Sequence, residues 1–135
     1  RMQKEVDEAG EELYFACLHD EPHRADELLK SGANANHLHA ERFTPLMASM
    51  MEGLDNITTL LLLGGADFKV KNVDGSMAVS YAEKWAIKSK TEEEKRACQR
   101  CVDIHKMHEE GKLKGSAPAK RLETLLAAPP APKAD

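Results

Sequence analysis

Thr44-Pro45-Leu46-Met47-Ala48-Ser49-Met50-Met51-Glu52-Gly53 holds a helix start, an apolar stripe and a helix stop in one short run. A threonine hydroxyl accepts from the backbone N–H groups that open a helix. Proline at the first helical position removes an N–H that has no intrahelical partner anyway. Leu46, Met47, Met50 and Met51 then fall at helical spacing, and the pattern breaks from Gly53 to Asn56. Ile57, Leu60 and Leu61 give the stripe of a second helix. Gly64-Gly65 ends it, because a residue without Cβ enters positive φ freely.

The same layout occurs upstream at a fixed step of 33 residues. Leu13 aligns with Leu46, Leu28 with Leu61, Leu29 with Leu62, Gly32 with Gly65, Ala33 with Ala66 and Asn34 with Asp67. A further step places Val79 below Leu46, and Ala82 below Ser49 and Ala16. A period of this size is that of a helical unit that buries its apolar face only against a neighbour.

The pattern resembles the ankyrin repeat. Thr44-Pro45-Leu46-Met47 stands where that family has its Thr-Pro-Leu-His box, Gly53 lies between the helices, and Leu61-Leu62 precedes Gly65-Ala66-Asp67. Leu28-Leu29 and Gly32-Ala33-Asn34-Ala35-Asn36 carry the signal in the first unit, and Asp74-Gly75 opens the third. About two and a half units are covered, over residues 8–85. Met47 replaces the usual His, Ser76-Met77-Ala78-Val79 is a weakened box, and at the fixed step the second helix of the third unit does not match.

The resemblance implies an all-α fold, an ankyrin-type helical repeat stack (an α-solenoid) with hairpin loops. It also implies a binding face built from the hairpin tips and the first helix of each unit. On this chain that face comprises Asn36, His37, Leu38, His39, Glu41, Arg42 and Phe43 at one tip and Lys69, Lys71, Asn72 and Asp74 at the next. Met47, Tyr81 and Lys84 are the helical candidates, Met50 and Met51 being equally readable as core. The expected activity is to hold a protein partner, as a scaffold or accessory subunit of a larger assembly, with no catalytic residues, cofactor or small-molecule substrate.

Beyond Trp85, Thr91 and Glu94 have the spacing of a capping box, Glu92, Glu93 and Glu94 suit the positive end of a helix dipole, and Gly111 is a natural stop. A long capping helix is expected at about 91–110, closing a repeat domain of residues 1–110. Residues 111–135 read as an Ala/Pro-rich tail with a short helix at 118–127, opened by Ser116 and Pro118 and halted by Pro129, Pro130 and Pro132. Leu122, Leu125 and Leu126 share one side of that helix. They are expected to contact the partner, docking on the chain's own repeats being the alternative.

Cys98, Cys101, His105 and His108 have the chemistry of zinc ligands and define the alternative function, a metal-binding or redox-responsive protein. A straight helix would spread Cys98 and His108 by about 15 Å, too far for one tetrahedral ion. A redox reading lacks the strand and helix N-terminus that lower a thiol pKa. His23, His37 and His39 read as surface polar residues.

The net charge is −4, from 23 acidic against 19 basic residues, which disfavours nucleic acid as a general partner. No apolar run is long enough to span a membrane. Three cysteines make no disulfide framework, so an intracellular setting is expected. The chain opens on Arg1, which leaves room for an upstream targeting segment. The compartment is therefore open, cytoplasmic or an organelle.

Overall fold

A computed structural model describes residues 7–130. Expectations for residues 1–6 and 131–135, Pro132 included, lie outside them. The described residues are helical and contain no strand: α1 Glu8–Leu18, α2 Pro22–Lys30, α3 Pro45–Glu52, α4 Asp55–Leu63, α5 Ala78–Lys88, α6 Glu92–Glu109 and α7 Ala117–Ala127. A single 3-10 turn, Ala40–Arg42, sits between α2 and α3.

Local signals set these boundaries. The Thr44 hydroxyl accepts from Met47 N at 3.1 Å, Pro45 opens α3, and Gly53 ends it at φ 69°. At α6 both halves of the capping box form, Glu94 N to Thr91 Oγ1 at 3.1 Å and Thr91 N to Glu94 Oε1 at 3.2 Å. The Ser116 hydroxyl accepts from Ala119 N to start α7.

The helices pack as pairs, α1 with α2, α3 with α4 and α5 with α6. α1, α3 and α5 stack in one row, and α2, α4 and α6 in a second. The core runs between the rows through Leu13, Leu46, Met47, Met50, Ile57, Leu61, Ala82 and Val102. Buried hydroxyls are paired: Ser49 Oγ and Thr58 Oγ1 are 2.9 Å apart, and Thr59 Oγ1 donates to Asp55 O. Unpaired, each would cost about 1–3 kcal/mol.

Two features differ from the sequence-based expectations. The third pair has its second helix, and α6 is that helix. Ile57, Leu60 and Leu61, buried on α4, recur on α6 as buried Cys98, Cys101 and Val102. α5 and α6, of 11 and 18 residues, are longer than α3 and α4, of 8 and 9, so a fixed step slid out of register. The tail also belongs to the packed body. α7 lies against α4 and crosses the second row: Ala117 and Pro118 stand beside Ile104 and Met107 of α6, and His23 Nε2 of α2 donates to Ala128 O at 2.7 Å.

Candidate functional site

The first hairpin tip is held open by hydrogen bonds to its own backbone and to its neighbour. His39 N donates to Phe43 O at 2.7 Å, closing a short bridge. Glu41 and Arg42 inside it have φ of 59° and 65°, a region in which side chains other than glycine are strained by about 1–3 kcal/mol each. Contacts to the next unit hold that geometry. Arg42 Nε donates to Lys71 O at 3.1 Å, and Asp67 N donates to Asn36 Oδ1 at 2.6 Å. The Phe43 and Tyr81 ring centroids are 5.9 Å apart, which carries the row on to α5.

The second tip is organised by Asn72. Its Oδ1 accepts from Asp74 N and Ser76 N at 2.8 and 3.0 Å, its Nδ2 donates to the Tyr81 hydroxyl, and Gly75 takes φ 83°. Lys69, Lys71 and Lys84 are exposed beside it. Lys69 Nζ lies 5.7 Å from the Phe68 ring and Lys84 Nζ 5.0 Å from the Trp85 ring.

The histidines have partners that their sequence neighbourhood does not show. His37 Nε2 lies 2.6 Å from Glu11 Oε2, and His39 Nδ1 lies 3.0 Å from the same oxygen. Asp7 Oδ2 is 3.4 Å from His37 Nδ1, and the Tyr14 ring stacks on His39 at 4.2 Å. Hydrogen bonds from His37, then His39, hold the Glu11 carboxyl below the ordinary carboxylate range. Glu11 on α1 and Asp7, the N-cap of α1, were missed because they are far away in sequence. Their acid character at the α1 start was the one available signal.

Several candidates change standing on these grounds. Met47 is fully buried beneath α3 and offers no contact surface, as the inward face of its helix requires. His37 and Asn72 are buried too, the first locked on Glu11 and the second inside its turn. Leu122 is buried against the second row, and Leu125 and Leu126 are half-buried there. Arg42 is exposed but its guanidinium spans two tips. Asn36, His39, Phe43, Lys69, Lys71, Tyr81 and Lys84 keep some surface.

Cys98, Cys101, His105 and His108 lie on one unbroken helix, and among the described residues no group of three His, Cys, Asp or Glu side chains is placed to hold a metal ion. Burial pushes the Cys101 thiol up to about 12, away from thiolate chemistry. Phe68 meets both imidazoles edge-on, His105 at 4.9 Å and His108 at 5.7 Å. Burial also lowers the pKa of His105, whose Nδ1 is buried without a hydrogen-bond partner among the described residues.

Compared with known proteins, the chain matches no family model and no curated protein. Among the described residues no helix is long and apolar enough to cross a membrane.

Proposed function

We propose that the chain is a short ankyrin-type repeat stack that holds a protein partner, as a scaffold or accessory subunit of a larger intracellular assembly, without catalysing a reaction. The observation that carries this reading is the tie between successive tips, Arg42 to the Lys71 carbonyl and Asp67 N to Asn36. Loops bonded to one another form a continuous edge whose shape is set before any partner arrives. A preformed edge loses little conformational entropy on binding. Side chains from two tips and α5 share it, so a partner can be gripped over several units.

The test is capture of a protein partner by the intact chain, compared with a variant carrying Leu38→Asp and Lys71→Glu. Both positions are exposed on the edge, and neither side chain belongs to the core. A complex of defined stoichiometry is expected, with retention at least about ten-fold weaker in the variant at an unchanged melting temperature. Equal retention by both proteins would remove the edge as the binding surface.

A further inference from the structure

We infer that α5 and the tip before it form a docking stripe for a short acidic segment of a protein partner, one that carries an apolar side chain among its carboxylates. This rests on the reading of the chain as a partner-holding module and names the chemistry of the partner.

Tyr81, Lys84, Trp85 and Lys88 follow one another at helical spacing and share a side of α5. Ala78 and Ala82 bury the side of α5 that adjoins it, and the Tyr81 ring packs against that core. The stripe therefore runs along the border of the core, with both lysines exposed and both rings half-buried. Lys84 Nζ already sits over the Trp85 ring, so cation and aromatic face form one composite surface. Val73 and Ile87, the most exposed large apolar side chains described, are 65% and 74% accessible at this same end. Val73 follows Asn72, which bonds Tyr81, whereas Ile87, two positions after Trp85, lies on the other side of α5.

Charge selects the occupant. Among the described residues no carboxylate is within ion-pair distance of Lys71, Lys84, Lys88 or Lys90. The acids near the stripe are Asp74, Glu83 on α5 itself, and Glu92, Glu93 and Glu94 at the start of α6. The segment up to the end of α5 is also less acidic than α1 and α2. Residues 67–90 carry Lys69, Lys71, Lys84, Lys88 and Lys90 against Asp67, Asp74 and Glu83. Residues 7–30 carry Asp7, Glu8, Glu11, Glu12, Asp20, Glu21, Asp26 and Glu27 against Arg24 and Lys30. A segment short enough to stop before Glu92 places carboxylates on Lys84 and Lys88 while an aliphatic group covers Trp85. A long polyanion laid along the edge would run onto Glu8, Glu11 and Glu12.

Trp85 is the only tryptophan, so its emission reads this stripe directly in the intact protein. The probe is a synthetic peptide of alternating Glu and Leu, titrated beside the same peptide with Gln for Glu, a single-stranded oligonucleotide and phosphatidylserine vesicles. A saturable change in Trp85 emission is expected with the acidic peptide alone. Lys84→Glu with Lys88→Glu should weaken it at least about ten-fold at an unchanged melting temperature, whereas Lys84→Arg should retain it. No response to the acidic peptide, in a protein that still captures its partner, overturns the stripe and leaves the module reading intact. A tighter response to oligonucleotide or vesicle overturns it in favour of that class. A change driven by protein concentration alone assigns the stripe to a second copy of the chain. Failure of capture as well takes down the module reading itself.

Discussion

Glu11 and His37 meet at 2.6 Å across the junction of the first helix and the first hairpin, although 26 residues separate them. With His39 on the same carboxylate, the contact fastens the first hairpin to α1. The Glu11 pKa is lowered in the folded chain, so the unfolded state binds the proton more readily. The resulting stability is complete above the ordinary carboxylate value of 4.5 and is lost as pH falls through the lower folded value. Glu11→Gln should lower stability by about 1–3 kcal/mol at neutral pH. It should also flatten the pH dependence below 4.5, as read by thermal melts across the acidic range.

Gly10→Ala tests the same junction from the other side. In an ordinary helix this change stabilises by up to about 1 kcal/mol. Here a Cβ would overlap the His37 imidazole, which packs directly on Gly10. The sign should invert, with a loss of about 1–3 kcal/mol by chemical denaturation. A more stable alanine variant would show that the His37 ring is not held where it is described.

His105 supplies a second pH-sensitive group with a different cause. Burial disfavours its charged form first, and Glu109, at 3.3 Å from Nε2, offsets that only in part. His108 nearby also opposes the charge, and Glu83 favours it. The folded pKa lies below 6.5, so stability is complete above that value and falls as pH drops toward the folded one. His105→Leu removes both the titration and the unpartnered Nδ1. It should raise the melting temperature more at pH 5 than at pH 8. An equal change at the two values would mean that the imidazole titrates as it does in the unfolded chain.

Much of the local structure was legible because its causes lie within a few residues. Thr44 with Pro45, Gly53, the Thr91–Glu94 box and Ser116 each act on backbone no more than one helical turn away. Contacts that close over distance left no such trace. Arg42 binds a main-chain carbonyl, which carries no residue signature, and Glu11 is one acid among many at its end of the chain. The repeat spacing placed the first two helix pairs but slid past α6, since longer helices keep the buried spacing within a unit while changing the step between units. Of the candidate edge, residue types were visible and burial was not. Met47 and Asn72 look like surface candidates until the packing around them is known.

The tail yields the last prediction, and it opposes the expectation that its leucines grip a partner. Leu122 is buried against the second row, where Leu29, Leu60 and Leu63 line the same groove, and the His23 bond to the Ala128 carbonyl holds the far end of α7. A helix of this length is marginal alone in water, so its order comes from docking on α4. Leu122→Ala should therefore lower stability by about 2–4 kcal/mol, through lost burial and the cavity left beside Leu60. Leu125→Ser and Leu126→Ser should cost less, since both side chains stay partly in water. Capture of a partner through the hairpin edge should survive all three changes at temperatures where the variants remain folded. Denaturant melts and the capture assay must be run on the same samples, because the two outcomes diverge. An unchanged melt with weakened capture would return the leucines to the partner. A lower midpoint with full capture makes α7 a brace across the second row.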